Sequence, residues 1–107
     1  MKKNPKRESD QNSNTITRQE AVRLVKLNIG KDLVFVFTKK DGSVRRMLGQ
    51  YGVEKDLKGV GLSFKPEEKD LLVIYDTENE GYRMVNTRTL QSITVDNVTL
   101  KVIHEED

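Results

Sequence analysis

The stretch Leu33-Val34-Phe35-Val36-Phe37-Thr38-Lys39-Lys40-Asp41-Gly42-Ser43-Val44-Arg45-Arg46-Met47-Leu48 decides the fold class. Leu33 to Phe37 is a compact run of β-branched and aromatic residues, the composition that packs on a pleated, half-buried surface. Asp41-Gly42 interrupts it with turn chemistry, and apolar residues return at Val44, Met47 and Leu48, so the whole reads as a β-hairpin. Two registers are open. A two-residue Asp41-Gly42 turn sets Phe37 opposite Arg46. A type I turn over Lys40-Asp41, with Gly42 as the bulge residue, sets Phe37 opposite Arg45. The bulged form is preferred because it asks positive φ of Gly42 and not of Asp41. Strand side chains alternate between faces, so this one-residue difference decides which arginine lies beside the phenylalanines.

Upstream of the hairpin, Thr17-Arg18-Gln19-Glu20 fits a capping box, in which the Thr17 hydroxyl accepts from the Glu20 backbone and the Glu20 carboxylate reaches back. Ala21, Leu24, Val25 and Asn28 follow at helical spacing, Val22 and Ile29 widen the apolar stripe, and Gly30 sits where a left-handed cap is wanted. Such a short helix needs a surface to lie on, so the Ala21, Leu24, Val25 face is expected to dock on the rest of the domain. Residues 1–15 are polar after Met1 and form a flexible basic arm that cannot bury enough surface to offset its ordering entropy.

Downstream, Gly49, Gly52, Gly59, Gly61 and Pro66 are interleaved with isolated apolar residues at Tyr51, Val53, Leu57, Val60, Leu62 and Phe64. This reads either as a long binding element or as a crossover that packs Leu62 and Phe64 on the core. Leu71 to Asp76 and Tyr82 to Asn86 form a second hairpin about the acidic turn Thr77 to Gly81. Thr87-Arg88-Thr89-Leu90 has the look of one helical or 3₁₀ turn, and Ser92 to Val95 and Val98 to Ile103 are short strands around Asp96-Asn97. Five or six short antiparallel strands hide their edges by curling into a small barrel. The expected fold is therefore mainly β: an SH3-like or Sm-like barrel with one N-terminal helix over residues 16–103, followed by an acidic tail at 104–107.

Composition narrows the chemistry. The 107 residues are 35% hydrophobic and 34% charged, with no cysteine, no tryptophan and His104 as the single histidine. A disulfide framework, a thiolate metal site and most zinc or histidine-based catalysis are excluded. No nucleophile, base and orienting group can be named, so a non-enzymatic protein without cofactor is expected. Nothing approaches a bilayer-spanning run, and no apolar segment of a secretory signal follows the basic N-terminus, so a cytoplasmic protein is expected. The Glu67, Glu68 and Glu78, Glu80 pairs lack both the apolar setting that raises a pKa and the spacing of a calcium loop, and read as solvated turn charges. His104, beside Glu105, is placed where a chain frays.

The net charge of +2 conceals an uneven distribution. Lys2, Lys3, Lys6 and Arg7 crowd the arm, and Arg23, Lys26, Lys31, Lys39, Lys40, Arg45 and Arg46 face only Asp32 and Asp41. Acids dominate the second half at Glu67, Glu68, Asp70, Asp76, Glu78 and Glu80 and in Glu105, Glu106 and Asp107. The arm either solvates the protein or attracts a polyanion.

Two groups of residues carry a family resemblance. Phe35 to Gly49 reads as Phe-x-Phe-x-Lys-Lys-Asp-Gly-Ser-x-Arg-Arg-x-x-Gly. Val73 to Ile93 contains Val-x-Tyr-Asp, then Gly-Tyr-Arg-x-Val, then Leu-x-Ser-Ile. Together they resemble the small WYL-like proteins of Bacteroidetes and their phages, which are single Sm-like or SH3-like barrels similar to the WYL domain of many bacterial transcription regulators. The resemblance implies binding of nucleotides or nucleic acid, with Tyr82 and Arg83 matching an aromatic-arginine pair and Arg45 or Arg46 the arginine after Asp-Gly. The Trp-Tyr-Leu signature itself is absent. The candidate contact set is Lys39, Lys40, Arg45, Arg46, Tyr82, Arg83 and Arg88, expected to gather on one face if the two hairpins are adjacent. The expected function is a non-enzymatic barrel binding nucleic acid or a nucleotide-like anion, as a phage or mobile-element regulator. The alternative is an adaptor or inhibitor of a host protein. An oligomer is compatible with either.

Overall fold

The computed structural model describes residues 14–52 and 66–104. Its elements are β1 (Thr15–Thr17), α1 (Arg18–Leu27), β2 (Leu33–Thr38), β3 (Val44–Tyr51), a 3₁₀ turn at Pro66–Lys69, β4 (Leu71–Asp76), β5 (Gly81–Asn86), a second 3₁₀ turn at Thr87–Thr89, β6 (Leu90–Val95) and β7 (Val98–Ile103). The arm residues Lys2, Lys3, Lys6 and Arg7, the connection through Val53, Leu57, Val60, Leu62 and Phe64, and the acids Glu105, Glu106 and Asp107 lie outside the described residues.

The first hairpin takes the bulged register. Phe37 pairs with Arg45 and Val36 with Arg46. The Gly42 N–H donates to the Lys39 carbonyl at 2.9 Å and the Lys39 N–H to the Ser43 carbonyl at 2.7 Å. Gly42 alone in this turn has positive φ, at +91°, as a type I turn followed by a G1 bulge requires. β3 runs on to Tyr51 because Gly49 lets β4 approach: a Cβ there would lie 2.5 Å from Ile74 Cγ2 and 2.9 Å from the Tyr75 carbonyl oxygen. The second hairpin pairs Leu72 with Val85 and Ile74 with Arg83.

The strands form one sheet in the order β1-β7-β6-β2-β3-β4-β5. Two expectations change. Seven strands replace five or six, and the described residues show no ladder joining the outer strands β1 and β5, so the sheet curls without closing. The additional strand is Thr15–Thr17, which pairs in parallel with Lys101 to Ile103. Three residues are too few to show a period of two, and Thr15 therefore reads as part of the arm in sequence.

The helix starts as its sequence dictates. The Glu20 N–H donates to Thr17 Oγ1 at 3.1 Å, and the Thr17 N–H donates to the Glu20 carboxylate at 2.8 Å. It ends earlier than the apolar spacing suggests. Asn28 donates its side-chain amide to the Leu24 carbonyl at 2.7 Å and closes the last turn, an instance of side-chain competition for helix backbone. Ile29 is consequently off the buried stripe and 62% exposed. Ala21 and Val25 are fully buried with Leu33, Phe35, Met47, Leu72, Ile74, Val85, Leu90 and Ile93, and Leu24 packs against this cluster. The helix is thus the lid on the concave face of the sheet.

Candidate functional site

Strand alternation separates the two arginines of the first hairpin. Arg45 lies on the side of β3 that carries Met47, while Arg46 points outward and is exposed. Arg45 donates from Nη2 to Asp76 Oδ2 at 2.9 Å. Asp76 has no solvent exposure, and its other contacts come from the turn it begins: the N–H groups of Glu78 and Asn79 donate to Oδ1 at 3.1 Å each, and the Asn79 amide donates to Oδ2 at 2.8 Å. Burial alone pushes the Asp76 carboxyl up. The Asn79 side chain, the turn N–H groups and Arg45 outweigh it and hold the carboxyl below its ordinary range. Arg45 therefore serves the β4–β5 turn.

Tyr82 stands opposite Tyr75 with ring centroids 5.1 Å apart in an edge-to-face contact. Arg83, the next residue, projects from the other side of β5 and is exposed, its guanidinium donating to the Tyr82 carbonyl at 3.4 Å. The tyrosine and arginine of the resemblance therefore lie on opposite faces of β5; by the strand register Arg83 is on the face of Arg45 and Tyr82 on the face of Arg46, so the four are not gathered on one face.

Arg88 sits on the second 3₁₀ turn and donates from Nε to Asp70 Oδ2 at 2.7 Å, while Arg18 at the helix start donates to Asp70 Oδ1 at 3.0 Å. The Arg88 hydrogen bond, followed by the charges of both arginines, holds the Asp70 carboxyl low despite some desolvation. A cavity of about 310 Å³ beside Arg18, Val22, Leu72 and Thr87 has this carboxylate in its wall, which disfavours an anion there.

Lys39 and Lys40 are different. Both are exposed at the hairpin turn, with no ion pair to a carboxylate among the described residues. Their sequence neighbour Asp41 is folded onto Ser43, accepting from its hydroxyl at 2.6 Å and its N–H at 2.9 Å, contacts that lower the Asp41 carboxyl. The two lysines stand on one side of a groove of about 470 Å³ whose apolar wall is Phe37, Leu71 and Met84. A second groove, of about 420 Å³, adjoins it, since Thr38 and Thr89 line both. Its cationic residues are Arg88 and Lys101, with His104 at its end. No Asp or Glu lines either groove among the described residues.

The grooves thus bring together Lys39, Lys40 and Arg88 of the predicted set, and leave out Arg45, Arg46, Tyr82 and Arg83. Lys101, His104 and the Thr38–Gln91 pair, whose amide donates to the hydroxyl at 2.8 Å, are residues the sequence reading misses. His104 is not frayed: its Nε2 lies 2.8 Å from the Leu90 carbonyl oxygen and its ring is half-buried. The bulge where β2 meets β6, between Val36 and Phe37, turns the end of β2 into the groove wall. No motif in one strand signals such a junction of three.

The curled antiparallel sheet, its helix lid and the 3₁₀ turn leading from β5 into β6 define a small SH3-type barrel. Consistent with this, residues 23–91 match the family model WYL_2, described as an Sm-like SH3 beta-barrel fold, and the chain belongs to that family. No match was found to a curated protein or to a solved structure. The matched span excludes β1, β7, Lys101 and His104, so one end of the second groove is supplied by chain outside it.

Proposed function

We propose that this barrel is a non-enzymatic binding module for nucleic acid, or for a nucleotide-like anion of the same chemistry, and that the joined grooves are its contact surface. The observation that carries this reading is the gathering of Lys39, Lys40 and Lys101, with Arg88 that also pairs with Asp70, along two adjoining, partly apolar grooves whose described lining includes no carboxylate. Ammonium and guanidinium groups attract phosphates, and Phe37 with Met84 offers the apolar surface on which a base can lie. A part in adjusting transcription or defence, as the family resemblance implies, is the role such binding would serve.

The test is titration of a labelled single-stranded oligonucleotide by fluorescence anisotropy at several salt concentrations. Each phosphate neutralised on a single strand contributes a slope of about −0.7 in log affinity against log salt. A trough using three or four cations gives a slope of roughly −2 to −3. Absence of binding at low salt contradicts the proposal.

A second reading, an adaptor or inhibitor of a host protein that uses the acidic loop and the helix, draws support from Leu27 and Ile29, which are 75% and 62% exposed beyond the docked face of α1. Ala21 and Val25, on the docked face of the same helix, are fully buried.

A further inference from the structure

His104 is the single histidine of the chain, and it lines the second groove together with Arg88 and Lys101. Its place is fixed from two sides. β7 is held to β1 as far as Ile103, and the imidazole Nε2 lies 2.8 Å from the Leu90 carbonyl oxygen at the start of β6. A carbonyl oxygen only accepts, so Nε2 carries the hydrogen of the neutral ring and Nδ1 is the atom that takes up a second proton. Nδ1 has no hydrogen-bond partner among the described residues. We infer that His104 is a further phosphate contact of the site proposed above, on which this inference rests, and that it acts in its protonated form: Nδ1–H donates to the phosphate, and the grooves hold a polyanion more tightly as pH falls.

The charged groups around the ring set the sign. The second 3₁₀ turn contributes Arg88, and β7 contributes Lys101. At the head of α1, next to the Thr17 that pairs with Ile103, stand Arg18 and Glu20. Both carboxylates of this neighbourhood are engaged: Asp70 by Arg18 and Arg88, and Glu20 by the Thr17 N–H. β2 and β6 present only uncharged side chains to the groove. A phosphate seated between Arg88 and Lys101 therefore brings new negative charge beside the ring, which favours its protonated form. By linkage, proton and polyanion then promote each other's binding by the same factor. Imidazole is the side chain that changes charge between about pH 5 and 8. The carboxyls of Asp70 and Asp76 are held lower than usual and stay ionised across that window.

Two measurements on the whole chain without added histidines separate this inference from the function it rests on. The first is anisotropy titration of a labelled oligothymidylate at fixed low salt, at about pH 8 and about pH 5.5. His104→Gln is the comparison, because its side-chain amide can still donate to the Leu90 carbonyl but takes up no proton, while the chain's amino terminus titrates alike in both. On acidification the affinity of the parent is expected to rise about fivefold more than that of the variant, the lower end of the usual coupling between two ligands. An equal response in parent and variant overturns the inference and leaves the grooves as the binding surface. Binding by neither at any pH overturns the proposed function, and this inference with it. The second measurement uses the parent alone: the ring signals of its one histidine are followed by NMR over pH, with and without the oligonucleotide. The midpoint of that titration is expected to move to higher pH when the strand is bound. An unmoved midpoint in a chain that binds places the ring outside the contact and overturns the inference.

Discussion

Asp76 shows how one residue is diverted from the role its surroundings suggest. Its carboxylate is fully buried, yet four donors converge on it. Asp76→Ala leaves all of them without their acceptor, and Arg45, itself 31% exposed, rehydrates. The expected cost is about 2 kcal/mol, below that of breaking a fully buried pair because the arginine can reach water. Chemical denaturation measures it. Because folding depresses the carboxyls of Asp76 and Asp70, their contribution is complete above the unfolded carboxylate value near pH ~4 and is lost as pH falls through the lower native values. Thermal melts should therefore be insensitive to pH from neutral to mildly acidic and decline below about pH 4, with a shallower decline in Asp76→Asn.

At the scale of elements, Gly49 is where β3 and β4 approach closely. Gly49→Ala places a methyl against Ile74 and the Tyr75 carbonyl, and a destabilisation of about 2 kcal/mol is expected from overpacking against backbone that cannot yield. Thr17→Ala removes the cap of α1 and should cost about 1 kcal/mol. If Gly49→Ala melts with the parent, the tight β3–β4 approach is wrong. The elements themselves were largely legible in sequence, because each rests on local chemistry. The Thr17–Glu20 reciprocal cap, the Lys40-Asp41-Gly42 bulged turn and the 3₁₀ turn at Thr87–Thr89, where the Arg88 N–H donates to the Asn86 side chain, all depend on residues close to one another in the chain. β1 and the early end of α1 were hidden for opposite reasons: Thr15–Thr17 is defined only by its distant partner Lys101 to Ile103, and Asn28 ends the helix inside an apolar pattern that continues to Ile29.

Across the whole molecule, charge segregation in sequence becomes pairing in space. Arg18 with Asp70, Lys31 with Asp96 and Arg45 with Asp76 each join a base of the first half to an acid of the second. The hairpin arginines that dominate the sequence pattern are thereby partly engaged by the fold or divided between faces. What stays available is set by where β2, the 3₁₀ turn and β7 meet, a property of topology that no local window contains. Lys39, Lys40 and Arg88 were legible as candidates by type, whereas Lys101 and His104 join them only through the β6–β7 pairing.

The most direct test compares two sets of substitutions in the oligonucleotide titration at low salt. Lys39→Ala, Lys40→Ala and Lys101→Ala together should weaken binding at least tenfold and flatten the salt slope, by about 0.7 for each phosphate no longer neutralised. Arg46→Ala with Arg83→Ala, which removes exposed charge outside the trough, should leave most of the affinity. The reverse pattern, with the lysine variant binding like the parent and the arginine variant failing, would contradict the trough as the contact surface.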